Sequence, residues 1–246
     1  MSTIINNNAI TKMYKGDTPI YSFSINSGGG TPTKIDVTEY GINLGYSSFS
    51  EIPDIFDFSN VKNMFNMFKG CSNLITIPLL DTSNVTVMTD MFYGCSDLTT
   101  IPLLDTSNVT IMLNMFDGCS SLTTIPQLNT LNVKNMGSMF AGCSSLTTIP
   151  LLDTSNVNYM EYIVNRCNKL TNLGGFKDLK ISVTNNFLNG APNLTVESLM
   201  NVINYLYDLT ANGITGKTLK FGQTNLDKLT EEQIAVATAK GWTLIA

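Results

Sequence analysis

Five cysteines, Cys71, Cys95, Cys119, Cys143 and Cys167, recur every 24 residues without an insertion or deletion. A fixed period of this length means one small structural unit repeated along the chain. A unit that short buries too little apolar surface to fold alone, so neighbours of the same shape must stabilise it. Other columns keep the same step. Val61, Val85, Val109, Val133 and Val157 form one, Met64, Met88, Met112, Met136 and Met160 a second, and Phe68, Phe92, Phe116 and Phe140 a third. Leu74, Leu98, Leu122, Leu146, Leu170 and Leu194 make a fourth, and Ile77, Ile101, Ile125 and Ile149 a fifth. The units begin at Asp57, Asp81, Asp105, Asn129 and Asp153, with a sixth near Lys177.

Within a unit the pattern changes once. Val85, Met88, Met91/Phe92 and Cys95 are spaced as one face of a short helix, preceded by the capping and turn residues Asp81-Thr-Ser-Asn84. Gly94, repeated as Gly70, Gly118, Gly142 and Gly190, supplies the left-handed position that ends such a helix. Leu98-x-x-Ile101-x-Leu103-x-x-Thr106 then follows the leucine-rich-repeat template. Ser-Leu-Thr-Thr-Ile reads as a strand of four or five residues that stops at Pro102 and its copies Pro78, Pro126 and Pro150, which lack an N–H for a neighbouring strand. The expected fold class is α/β: a leucine-rich-repeat solenoid with short parallel strands on one side and short helices on the other, preceded by a small N-terminal β element.

Residues 1–27 read as that β attachment element, with a hairpin whose arms Ala9–Tyr14 and Ile20–Ile25 flank Lys15-Gly-Asp-Thr-Pro19. Residues 28–45 read as a glycine-rich linker and lead-in, and residues 46–194 as the repeats, opening with the half-unit Tyr46–Pro53. Residues 195–246 read as capping repeats: a helix from Thr195 to Tyr207, a strand at Lys217–Phe221, a helix opened by the capping box Thr230–Gln233 and ended by Gly241, and a last strand at Trp242–Ile245.

The chemistry implied is contact. Histidine is absent, which removes the commonest general base and metal ligand. The cysteine spacing does not fit a zinc site and reads as small buried core residues. The Asp-Thr-Ser-Asn boxes lack the several acidic ligands of a calcium site. The sequons Asn84-Val-Thr86, Asn108-Val-Thr110 and Asn193-Leu-Thr195 read as helix-start residues. No catalytic residue, cofactor-binding residue or metal ligand is assigned, and the expectation is a protein that is not an enzyme and uses no cofactor. With 14 Lys and Arg scattered against 19 Asp and Glu, net −5, the basic face of a nucleic-acid binder is missing. No run approaches the length of a membrane span, and no secretory signal is recognised at the N-terminus.

The candidate contact surface lies on the strand side, at Thr99, Thr100, Leu104, Thr123, Thr124, Leu128, Thr147, Thr148 and Leu152. It is uniform, uncharged and mildly apolar. Tyr159 and Tyr162 mark a distinct edge on the other side.

The units DTSNVTVMTDMFYGCSDLTTIPLL and DTSNVTIMLNMFDGCSSLTTIPQL resemble the BspA-type leucine-rich repeats of bacterial surface proteins. That resemblance implies adhesion and protein–protein contact. The runs Leu226–Leu244 and Ile10–Thr18 are similar to segments of phage-encoded repeat and structural proteins. Together they imply a bacteriophage virion component, a head or tail fibre or decoration, made in the host cytoplasm. Residues 1–45 would join it to other virion subunits, the repeats would meet a host surface protein or glycan, and homo-oligomerisation is compatible with this arrangement. The alternative is a bacterial cell-surface adhesion protein.

Overall fold

The computed structural model describes residues 56–246, together with Leu44, residues 50–52 and the backbone of Ile5–Asn6, Ala9–Ile10, Met13–Lys15, Thr18–Tyr21 and Ile35–Asp36. It is a mixed α/β chain of short parallel strand pairs and a few short helices. Among the described residues no helix is long and apolar enough to cross a membrane. Near the N-terminus Ile5–Asn6 pairs antiparallel with Ala9–Ile10, and Met13–Lys15 with Thr18–Tyr21. A hairpin is present with Lys15 opposite Thr18, so its turn is narrower than the expected Lys15–Pro19, and Ala9–Ile10 pairs with Ile5–Asn6 rather than with the second arm. Residues 22–25 of the expected second arm lie outside the described residues. The glycine-rich joint at 27–33 and most of the half-unit 46–53 lie outside the described residues.

From Leu44 onward each unit is bonded to the next. Leu44, assigned from sequence to the lead-in, already occupies the phenylalanine column: it is buried and its N–H donates to the Met67 carbonyl at 2.9 Å. The same bond recurs from Phe68 to Met91, Phe92 to Met115, Phe116 to Met139 and Phe140 to Ile163, at 2.9–3.0 Å. On the strand side Thr99, Thr123, Thr147 and Thr171 donate backward by 24 residues to Ile75, Thr99, Thr123 and Thr147 at 3.0–3.2 Å. Ile75 donates to Ser50 at 2.9 Å, an offset of 25 that absorbs the one extra residue before Asp57. The Val, Met, Phe, Cys, Leu and Ile columns are all buried between these ladders.

The expected short helices are not formed: among the described residues every helix lies after Thr195. The Val85–Cys95 stretch is instead a run of tight turns. The Met91, Tyr93 and Cys95 N–H groups bond within the unit, to Met88, Asp90 and Phe92, while those of Phe92 and Gly94 reach Met115 and Asp117 in the next unit. Two residues in each of the first five runs have positive φ, Asp90 at 54° and Gly94 at 72° in this unit, and a right-handed helix cannot pass through them. Turns of three residues bring positions i, i+3 and i+6 to one side as a helix does, so periodicity cannot separate the two. The strands are also shorter than expected: Thr148–Ile149 pairs with Asn172–Leu173, stops before Pro150, and pairing resumes at Leu152–Asp153 with Phe176–Lys177.

Each residue of the Asp-Thr-Ser-Asn box has its own bond. In the second unit Asp81 Oδ1 accepts the Ser83 N–H and hydroxyl at 3.1 and 2.7 Å, an Asx turn. Buried Thr82 donates forward to the Asp105 carbonyl at 2.9 Å, and Asn84 donates backward to the Ser59 carbonyl at 2.9 Å. Thr106, Thr130 and Thr154, and Asn108, Asn132 and Asn156, repeat these two bonds.

The cysteines do more than fill space. The Cys95, Cys119, Cys143 and Cys167 Sγ–H groups donate to the carbonyls of Phe68, Phe92, Phe116 and Phe140 in the preceding unit at 3.0–3.1 Å, and Cys71 donates to Leu44. All five are buried, and burial pushes up the thiols of Cys95, Cys119, Cys143 and Cys167, the last to about 12. Because the thiolate is the reactive form, an aromatic disulfide reagent should titrate none of the five in the native protein and all five after denaturation. Fast stoichiometric labelling of the native protein would contradict this.

The C-terminal elements follow the sequence closely. Helix α1 (Val196–Tyr205) is capped by Thr195, whose hydroxyl accepts the Ser198 N–H. After the short helix α2 (Gln223–Leu226), helix α3 (Glu231–Ala239) opens with the full capping box of Thr230 and Gln233. Lys217–Lys220 pairs parallel with Trp242–Ile245, setting Leu219 opposite Leu244. Lys240 Nζ reaches the Ile203, Asn204 and Leu206 carbonyls at 3.2, 2.6 and 3.2 Å, satisfying the open end of α1.

Candidate contact surface

The strand side is only partly the surface expected. Thr100 and Thr124 are exposed and Thr148 is half-buried. The hydroxyls of Thr99, Thr123 and Thr147 each donate to the carbonyl one unit back, at 3.1, 3.3 and 3.2 Å, so they reinforce the ladder as well as facing out. Leu104, Leu128 and Leu152, assigned from sequence to this surface, are instead core residues, no more than 2% exposed. Leu103, placed in the core by the repeat template, is 63% exposed, and Leu79 is 77% exposed. Strand alternation does not carry across the proline. Around Pro150 pairing breaks after Ile149 and restarts at Leu152, whose side chain is buried. The residue just after the proline is exposed at Leu79, Leu103 and Gln127 and half-buried at Leu151.

These outward leucines form the lip of an open groove of about 670 Å³. Its walls cross three units: Leu79 to Ser83, Leu103 to Thr106, then Gln127 and Asn129. Asp81 and Asp105 stand at the groove, and hydrogen bonds from Ser83 and Ser107 hold their carboxyls below the usual range. Sequence reasoning missed this feature. Its signal was the doubled leucine after Pro78 and Pro102, Leu79-Leu80 and Leu103-Leu104, of which one alone can point inward.

The tyrosine edge lies elsewhere. Tyr159 is 43% and Tyr162 36% exposed. The Tyr159 ring lies over Gly137 beside Leu113, where any Cβ at Gly137 would collide with it. Tyr162 takes the left-handed place held by Asn66, Asp90, Asn114 and Ser138 in earlier units. Glu161 between them accepts the Asn185 N–H at 2.6 Å.

A polar cluster also sits on this side. Lys69 Nζ donates to Asp90 Oδ2 at 2.7 Å and lies 4.6 Å from the Tyr93 ring centre, while Asn114 donates to Asp90 Oδ1 at 2.9 Å. Nearby Asp117 has its carboxyl pushed up to about 6, by burial first and the Asp90 charge second, with Arg166 opposing. The folded state then holds this proton more tightly than the unfolded chain does. Its contribution to stability should rise as pH falls through about 6 and level off below the ordinary carboxyl value. Asp117→Asn is expected to add about 1 kcal/mol near pH 7.5, a figure reduced for partial exposure, and almost nothing near pH 4. Paired denaturation curves at the two pH values measure it.

A family model described as "Mycoplasma protein of unknown function, DUF285" matches residues 44–121 and again residues 97–199. No curated protein and no solved structure matches the chain.

Proposed function

The chain belongs to the DUF285 family of Mycoplasma proteins of unknown function, and from that premise we propose that it is a non-enzymatic binding and structural protein. In this reading its units form a leucine-rich-repeat solenoid that displays one long surface to a partner. The observation that carries it is the backbone ladder: from Leu44 to Lys177 each unit is hydrogen-bonded to its neighbours at offsets of 23–25 residues. Such an arrangement makes a stiff support whose outer residues recur at a fixed spacing, which suits broad contact. The chemistry of the thiols supports the same reading, since a cysteine nucleophile needs an accessible thiolate and these are buried and bonded to carbonyls.

The protein is best placed as a bacteriophage virion component, with residues 1–45 joining it to the particle and the repeats facing a host surface protein or glycan. The short β pairings near the N-terminus, different in kind from the repeats, favour a separate attachment element. A second reading, a bacterial surface adhesion protein, is favoured by the association of the family with BspA-like repeat surface proteins. Density-gradient fractionation of infected or induced cultures separates them. The protein should band with particles, and a variant lacking residues 1–30 should leave that band while keeping native circular dichroism. Continued banding of the deletion variant would remove the attachment element, and recovery in the cell-surface fraction would favour adhesion.

A further inference from the structure

We propose that the groove beside the Asp-Thr-Ser-Asn boxes binds an extended segment of another protein carrying a lysine or arginine between apolar residues, with the cation at Asp81 and Asp105 and the apolar side chains on Leu79 and Leu103. This rests on the contact-scaffold reading and names the partner chemistry.

The apolar half of the site is Leu79 and Leu103, the two most exposed large hydrophobic side chains among the described residues. They occupy the same place in adjacent units and form the lip of one groove. The charged half is Asp81 and Asp105, also one unit apart. Each keeps Oδ1 on its own serine, Ser83 at 2.7 Å and Ser107 at 2.7 Å, and among the described residues no ion pair reaches either carboxylate. Neighbouring parallel strands are about 5 Å apart, so a single ammonium or guanidinium can serve both acids.

The chain itself shows what fits there. Asp153 occupies the same column in the fifth unit, and its Oδ1 is held by Ser155 at 2.6 Å in the same way. Its Oδ2 accepts Lys177 Nζ at 3.0 Å. Lys177 stands where the next unit would place its own aspartate, 24 residues on. The last box is thus closed by a lysine of the chain, while the boxes of Asp81 and Asp105 present the same acceptor geometry to solvent. The next step along the chain ends the groove: Gln127 replaces the leucine and donates to the Leu128 and Leu151 carbonyls at 3.1 and 2.8 Å, and Asn129 replaces the aspartate. The site is therefore two units wide. A bare polyamine would satisfy the acids and leave both leucines wet, and a divalent cation would want more carboxylates than two. A polypeptide supplies both halves.

Gln127 and Asn129 also provide substitutions the fold already tolerates. Asn129 Oδ1 accepts the Leu131 N–H at 3.2 Å, so asparagine keeps the Asx turn, and Gln127 stands in the exposed leucine column. Full-length protein is titrated into a fluorescein-labelled pentapeptide of alternating leucine and lysine, followed by anisotropy. Binding should weaken about tenfold in D81N/D105N, as for two exposed ion pairs, and lose most of its salt dependence. It should weaken by a similar factor in L79Q/L103Q while keeping its salt dependence. Equal affinity for a leucine–glutamate peptide, unchanged affinity in both variants, or displacement by an equal charge concentration of spermidine would overturn the assignment. So would a peptide-sensitive dimer in sedimentation, which would make a second copy the occupant. If the wild-type protein does not bind the leucine–lysine peptide, the groove assignment fails alone, because the particle fractionation tests the scaffold reading independently.

Discussion

Phe116→Ala should destabilise the protein by about 4 kcal/mol, within the range for emptying a buried phenylalanine site. The ring is fully buried and stacked between Phe92 at 5.6 Å and Phe140 at 5.9 Å, with interplanar angles of 4° and 5°. Truncation therefore removes two ring contacts together with the transfer term. The surroundings are poorly placed to collapse, because the Phe116 N–H and carbonyl are tied to Met139 and to Cys119 and Cys143 at 2.9–3.1 Å. Phe68→Ala should cost less, since Phe68 stacks on Phe92 alone and meets Phe58 at a tilt of 56°. Urea denaturation of both variants reads the difference. A loss below about 1.5 kcal/mol for Phe116→Ala would mean that the ring column contributes little beyond what a smaller side chain supplies.

Gly174→Ala is expected to cost about 3 kcal/mol through overpacking against main chain. Gly174 stands in the proline column, and its N–H donates to the Ile149 carbonyl at 2.9 Å. A Cβ there would come within 2.8 Å of the Pro150 carbonyl carbon and 2.9 Å of Leu151 Cα. These are backbone atoms with no rotamer to change, so the two units would have to part and weaken the ladder between them. Gly213→Ala is the matched control. Its φ is 67° but nothing lies within 4 Å of the added Cβ, so it should show only the left-handed penalty of about 1 kcal/mol. Equal melting temperatures for the two variants would show that backbone approach at Gly174 is not limiting.

The contrast between these glycines shows where sequence reading works and where it does not. Gly70, Gly94, Gly118 and Gly142 could be assigned to a left-handed position from their place after an apolar run and have φ between 70° and 78°. Gly190, assigned in the same way, does not have a positive φ and lies against the Asn165 backbone instead. Gly174 takes its importance from a neighbour 24 residues earlier, which no local pattern reveals. The helix expected at Val85–Cys95 failed for a related reason. Asn66, Asp90 and Asn114 form a column of residues tolerant of positive φ, a signal present in the chain but outweighed by apolar spacing that suits turns and helices alike. By contrast, the capping box at Thr230 and Gln233 and the strands at Lys217–Lys220 and Trp242–Ile245 were legible, because caps and strand patterns are short-range devices.

The 24-residue step and the inward columns of Val, Met, Phe, Cys, Leu and Ile were settled by the order of amino acids, because burial demands apolar residues at every repeat of the same place. Which of two consecutive leucines faces water was decided only when the units were packed. Leu104 turned inward and Leu103 outward, as Leu152 turns inward where pairing restarts after Pro150 with a new phase, and the groove with its two carboxylates follows from that choice. The thiol-to-carbonyl bonds between units likewise depend on contacts 27 residues apart in the chain. Hydrophobic patterning acts along the chain, whereas hydrogen bonding and backbone approach act across it.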